Sequence, residues 1–316
     1  MARARGVTPN ARADAAVRAA LCSRLVGIEE VLPPVVVGCS GGADSLALLA
    51  LACSAALGPI AVHVDHGLRT GSDREADVVA EHAARLGAQF FAATVHVEPG
   101  PNLEARARDA RYAALERARS ELSATTILVG HTADDQAETV LLNALRGSGS
   151  AGLGGMPLRR GHVVRPMLSI RRAETEALCA ELGFDPVLDP TNDDTAFRRN
   201  WIRHEVLPLL SEGAGRDLVP VLARQATILR DESEYLDALA GAAWPADGGR
   251  PASALASMPA VLARRAVRLW LGPPPPSLDE VERVLTVARG DAKAAEVAGG
   301  RRVWRRDGRL FLDDRR

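Results

Sequence analysis

The sequence predicts an α/β protein: a parallel, doubly wound sheet followed by a mostly helical C-terminal domain. Short β-branched runs alternate with helical stretches over residues 35–145. That order implies βαβ units with helices on both sheet faces. Polar strings follow the first, second and fourth runs, so right-handed crossovers gather them on one sheet edge, where such sheets bind ligands. Beyond about residue 212 the pattern is mostly helical, which sets expected domains at 1–212 and 213–316.

Residues 11–30 read as an amphipathic helix, and Pro33-Pro34 then breaks the pattern. Val35-Val36-Val37, bounded by Gly and Ser, reads as a buried strand. A helix over 44–56, a strand at Ile60–Val64 and a helix over 72–86 follow. A third strand lies within Gln89–Val97, a long charged helix covers 103–121, Thr125–Val129 is the fourth strand, and a helix runs from about 133 to 145. The glycine-rich stretch Gly147–Gly155 reads as a mobile active-site loop. Residues 170–183 are helical, and Asp189-Pro190-Thr191-Asn192 is turn chemistry. The stretch 292–314 alternates around a turn at Asp307-Gly308 and reads as a small hairpin.

Composition narrows the classes. The 316 residues are 47% apolar and 25% charged, enough for a sizeable core. The net charge of −1 means that a nucleic-acid site must be a local patch. Arg198, Arg199 and Arg203 form one such patch, and Arg301, Arg302, Arg305, Arg306 and Arg309 another. The second is weighed evenly as a solvated hairpin or a contact to an RNA backbone. Lysine occurs once, at Lys293, which fits a codon bias toward arginine. Cys22, Cys39, Cys53 and Cys179 form no CxxC pair and have no zinc-ligand spacing. They read as small buried residues in a reducing compartment. No apolar run reaches membrane-spanning length, and a cytoplasmic location is expected.

The first polar string is Ser40-Gly41-Gly42-Ala43-Asp44-Ser45, between a predicted strand and a predicted helix. The glycines let the backbone approach an anion, and the helix start offers free N–H groups and a positive dipole end. Ser40 and Ser45 add hydroxyl donors, which makes a pyrophosphate cradle. No Lys follows, so it is not a GxxxxGK[ST] loop. Asp44 would repel phosphate unless a Mg²⁺ ion lay between them. The plainer reading is a strand-to-helix turn with an acid at the helix start; the full six-residue string favours the cradle.

This string resembles the signature of the PP-loop ATP pyrophosphatases, parallel α/β enzymes that cleave ATP to AMP and pyrophosphate. Further strings narrow the resemblance. Val64-Asp65-His66-Gly67-Leu68-Arg69 follows the second strand. On the 103–121 helix, Glu104, Arg108 and Arg111 share a face. Gly130-His131-Thr132-Ala133-Asp134-Asp135-Gln136-Ala137-Glu138 enters the next helix. Gly155-Met156-Pro157, Arg165-Pro166-Met167-Leu168, Asp189–Asn192 and Arg199-Asn200-Trp201-Ile202-Arg203 complete the set. Over about residues 35–210 these are similar to the tRNA(Ile)-lysidine synthases.

The resemblance implies adenylation of the C2 carbonyl oxygen of the wobble cytidine in an isoleucine tRNA with a CAU anticodon. Free L-lysine then attacks through its ε-amine and expels AMP. ATP and Mg²⁺ are the implied cofactors, with Ser40, Gly41, Gly42, Ala43, Asp44, Ser45 and His131 on ATP and Asp44 on the metal. Asp44, Arg108 and Asp135 carry catalysis, and Asp135 and Glu138 hold lysine. Arg111, Arg199, Asn200 and Arg203 bind tRNA, and a homodimer is allowed. From the residues alone, the Glu104 helix is equally a solvated face, Asp134-Asp135 equally helix N-terminal charge, and His131 a capping or packing residue. Val187 and Leu178 stand where the family carries aromatic residues, and little beyond 212 can be matched.

Overall fold

The structure, a computed structural model, describes residues 9–65, 67, 73–98, 100–101, 103–187, 193–244 and 250–313. His66, Leu68, Arg69 and the Asp189–Asn192 turn lie outside the described residues, as does the side chain of Glu104. The chain divides into two compact units, one ending at Thr227 and one beginning at Ile228.

In the first unit, α1 (Pro9–Cys22) precedes β1 (Val35–Gly38), α2 (Ala43–Ser54), β2 (Pro59–Asp65), α3 (Asp73–Leu86) and β3 (Gln89–Thr94). Then come α4 (Leu103–Glu121), β4 (Thr126–Val129), α5 (Ala133–Leu145) and the short turn α6 (Ser150–Leu153). Two-residue strands β5 (Arg159–Arg160) and β6 (Val163–Val164) lead to α7 (Arg172–Glu181). A continuous helical stretch follows: α8 (Arg198–Trp201), a π-helical turn (Ile202–Val206) and α9 (Leu207–Gly213), which contains position 212.

The sheet order is β3-β2-β1-β4-β6-β5, parallel throughout except for the β5–β6 pair at one edge. Central β1 explains the Val-Val-Val run: all three valines are fully buried, because helices cover both faces. One face packs on α2, where Leu46, Leu48, Leu49 and Leu51 are fully buried. The other packs on α4 through Ala114, Leu115 and Ala118. Each buried leucine is worth about 1.5–3 kcal/mol, so α2 is anchored firmly by its body while its first turn meets the ligand edge. Chain order reverses at β1, with β2 on one side and β4 on the other. The crevice at this switch point is the expected ligand site.

The expected loop at 147–155 is corrected. It closes around α6, with Asn143 Nδ2 donating to the Gly152 carbonyl at 2.7 Å and Met156 N donating to Gln136 Oε1 at 2.7 Å. None of these residues lines the cavity described below.

Helix α10 (Val219–Ala243) leads to β7 (Arg250–Pro251), α11 (Ala252–Ser257), α12 (Ala260–Leu271) and α13 (Leu278–Arg289). The chain then forms β8 (Ala294–Val297), β9 (Arg301–Arg306) and β10 (Arg309–Asp313). The expected hairpin is β9–β10, set inside a four-stranded antiparallel sheet of order β7-β10-β9-β8. Trp244, Val267, Val281, Val284, Val303 and Leu310 share the core of this second unit. Helix α13 has both ends written in sequence: a Ser277–Glu280 capping box and Gly290 in the left-handed region.

Candidate active site

The phosphate loop joins β1 to α2 in a shape that only its sequence allows. Gly41 sits at φ +85°, and a Cβ there would meet Val187 Cγ2 at 2.9 Å. Ser45 Oγ donates to the Gly42 carbonyl at 2.9 Å and accepts from Ser40 N at 3.2 Å, closing the loop on itself. Across the crevice, Gly130 follows β4 so near the start of α2 that a Cβ would lie 2.8 Å from the Asp44 carbonyl oxygen. The two strand ends therefore meet, and a cavity of about 1230 Å³ opens beside them.

Asp44, in the first turn of α2, accepts a hydrogen bond from the Thr175 hydroxyl and an ion pair from Arg172 Nε at 3.3 Å. Burial pushes its carboxyl up to about 6, against the opposing pull of Arg172 and Thr175. Asp135 caps α5: its Oδ2 accepts from Thr132 N at 2.8 Å. Its Oδ1 accepts from Arg172 Nη2 at 2.9 Å and Arg199 Nη2 at 3.0 Å. Burial would raise Asp135, yet these guanidiniums hold it well below the usual carboxylate range. Glu138, one turn further on, is fully buried. It accepts from Arg199 Nε at 2.6 Å and Arg203 Nε at 2.7 Å, with Arg172 Nη1 at 3.5 Å. Neighbouring Asp134 points elsewhere, to Arg171 Nε at 3.1 Å and Arg172 N at 2.8 Å.

Arg111, Tyr112 and His131 also line the cavity. The Arg108 and Arg111 guanidiniums lie 5.2 and 5.7 Å from the Tyr112 ring centre. Arg165, 4% exposed, donates through Nη1 to the Pro157 carbonyl at 2.9 Å, and its Nε is buried without a partner. Burial, with Arg165, Arg108 and Arg199 nearby, takes His131 down to about 3 although Asp135 opposes this. Its ring is neutral at pH 7, and Nδ1 has no partner. Cys39 and Cys179 also line the cavity, but burial pushes both thiols up to about 12, so neither supplies a thiolate at neutral pH.

Of the residues expected from sequence, Ser40, Gly42, Ala43, Asp44, Ser45, Arg111, His131, Asp135 and Arg203 line this cavity. Gly41, Arg108, Glu138, Arg199 and Asn200 are not in its lining. Arg199 and Arg203 lie on the α8 stretch with their guanidiniums on Asp135 and Glu138, and Asn200 Nδ2 donates to the Asp194 carbonyl at 2.9 Å. Arg172, Thr175, Tyr112 and Arg165 were not singled out as site residues. For Arg172 a signal existed: Arg171-Arg172 opens a helix, where the dipole disfavours cations, so carboxylates must offset them.

A glycine cradle at the switch point of a parallel sheet, with a carboxylate in the first helical turn, defines a nucleotide-binding α/β domain of the PP-loop class. Residues 21–210 match the family model "PP-loop domain", and residues 251–311 match "TilS substrate binding domain". The chain is 42% identical over 323 residues to the tRNA(Ile)-lysidine synthase of Salinispora arenicola, covering 95% of this chain and 96% of the relative. It is 45% identical over 296 residues to that of Nocardia farcinica, covering 90% and 91%. Among solved structures, the U34-tRNA thiolase NcsA of Methanococcus maripaludis aligns with a TM-score of 0.53 at 17% identity, over 71% of this chain and 79% of that one. That likeness concerns the fold alone. The chain belongs to the tRNA(Ile)-lysidine synthase family.

Proposed function

We propose that the protein ligates L-lysine to C2 of the wobble cytidine of the CAU-anticodon isoleucine tRNA, forming lysidine, AMP and pyrophosphate. The observation that carries this reading is the convergence of the phosphate loop and the Asp44–Arg172–Asp135 ion pairs on one cavity, with Glu138 behind them holding Arg172. The cytidine oxygen attacks the α-phosphorus of ATP and pyrophosphate leaves. The adenylate is a better leaving group than the bare oxygen, so the lysine amine then displaces AMP at C2.

The Ser40–Ser45 loop cradles the pyrophosphate. Asp44 would hold Mg²⁺: its carboxyl lines the cavity beside the phosphate loop, and Mg²⁺ needs only one or two carboxylates when phosphates and waters complete its shell. When bound, it neutralises charge on the departing pyrophosphate. Neutral His131 offers Nδ1 to the nucleotide, and Arg108 and Arg111 face the adenylate phosphate or the tRNA backbone. Asp135, on the cavity wall, receives the lysine amine, and Glu138 acts through Arg199 and Arg203, which it holds. Three guanidiniums balance three carboxylates here, so an arriving ammonium finds no net negative charge to keep its proton. Residues 1–212 are assigned to catalysis and 213–316 to tRNA. A homodimer, which the family resemblance allows, is tested by sedimentation of the full chain.

The decisive experiment supplies ATP, labelled lysine and unmodified isoleucine tRNA. Label enters tRNA in step with pyrophosphate release. Release without lysine incorporation would remove the lysidine reading.

A further inference from the structure

The C-terminal sheet has two unlike faces. Side chains alternate along a strand, so Val303 and Leu310 enter the core while Trp304 and Phe311 lie half-buried on the other face. These two are cross-strand partners, with rings stacked at 4.6 Å between centroids and 21° between planes. Arg302 and Arg306 on β9 and Arg309 on β10 share that face, and all three are exposed. Arg302 stands opposite Asp313 and Glu296, but Arg306 stands opposite Arg309. Directly opposed like charges destabilise a sheet. Arg306 Nε lies 3.3 Å from Asp307, and both side chains are largely in solvent.

We propose that this face binds an unpaired nucleotide of the tRNA substrate, with its base on the Trp304–Phe311 stack and its flanking phosphates on Arg306 and Arg309. The proposal rests on tRNA being the substrate. Two features select the occupant. Arg302, Arg306 and Arg309 set three exposed guanidiniums beside the ring pair, which favours a polyanion. An aromatic pair adds affinity only to a partner with a free π face, which an unstacked base has and a duplex interior does not.

The test measures binding of the full-length protein to unmodified isoleucine tRNA, with a short oligouridylate and a blunt RNA duplex as competitors. Trp304→Leu, which keeps apolar volume but removes the ring, should weaken tRNA binding about tenfold with its salt dependence intact. Trp304→Phe should restore most of that loss. Arg306→Ala should lower the slope of log affinity against log salt by about one. Oligouridylate should compete better than duplex. Equal affinity of the Leu and Phe variants, or better competition by the duplex, would overturn the proposal. Thermal melts of each variant separate a lost contact from a lost fold. Wild-type lysine incorporation is measured in parallel: if it fails, the substrate reading falls; if it succeeds while the Leu variant binds normally, only this surface falls.

Discussion

Arg172, Arg199 and Arg203 each hold carboxylates, whereas Arg108, Arg111 and Arg165 hold none among the described residues. Both groups belong to the same unit, and Arg203 and Arg111 line the same cavity. The first group is spent on Asp44, Asp135 and Glu138, so its charge is internally balanced. The second surrounds a tyrosine ring, with Arg165 almost wholly buried. A desolvated cation without a counter-ion is costly, and it is tolerated where an anion arrives later. The balanced group therefore reads as architecture that orients reactants. We propose that the unbalanced group receives phosphate.

Glu138→Ala should have the largest effect. It strands Arg199 and Arg203 without their buried partner, and breaking such a pair costs about 3–5 kcal/mol. Denaturant unfolding should show that loss, with lysine incorporation falling alongside it. An unchanged midpoint would mean that the network is not structural. Next is Asp44→Asn, which should reduce tRNA-dependent pyrophosphate release by more than about 100-fold. The wild-type carboxyl titrates near 6 because burial raises it, so it is ionised above that pH and protonated below. Affinity for Mg²⁺-ATP should therefore fall as pH drops through 6, and this dependence should vanish in the Asn variant. For folding the sign is reversed: the folded state holds the proton more tightly than the unfolded chain. Wild-type stability thus declines as pH rises from the unfolded carboxylate range to 6, and the Asn variant escapes that decline.

Arg165→Met breaks the other side of the comparison. Removing a cation without a carboxylate should leave stability unchanged or raise it by about 1 kcal/mol, yet weaken ATP or tRNA binding about tenfold. A stability loss like that of Glu138→Ala would show that Arg165 is balanced after all.

The sequence made the balanced group harder to read than the sheet. Strands β1, β2 and β4 were visible because β-branched runs buried on both faces leave few alternatives. β5 and β6, two residues each, carry no periodicity at all. The glycines of 147–155 suggest a mobile loop, but Gln136 and Asn143 on the preceding helix pin it through contacts that periodicity does not show. Within the site, the cradle was legible because its glycines and serines act locally. The partners of Arg199 and Arg203 were not, since Asp135 and Glu138 lie more than sixty residues away in the chain. In the sequence Asp135 and Glu138 face a ligand; the fold gives both of them arginine partners as well.

Arg→Lys exchange gives the finest discrimination, and at Arg108 the smallest effect. Arg199 bridges two carboxylates, Nε to Glu138 and Nη2 to Asp135. A lysine ammonium is a point charge and cannot reproduce that fork. Arg199→Lys should therefore lose about 1–3 kcal/mol, the worth of hydrogen bonds to charged groups. Arg108 is exposed and rests on Tyr112 with no fork to satisfy. Arg108→Lys keeps the charge and the approach to the ring, so the tRNA-dependent rate should change by only about two- to threefold with its salt dependence intact. If Arg108→Lys instead abolishes the rate, Arg108 grips its phosphate through two N–H groups and the receptor is as geometrically specified as the network opposite it. If both exchanges are silent, charge alone organises the two groups and the distinction between them fails.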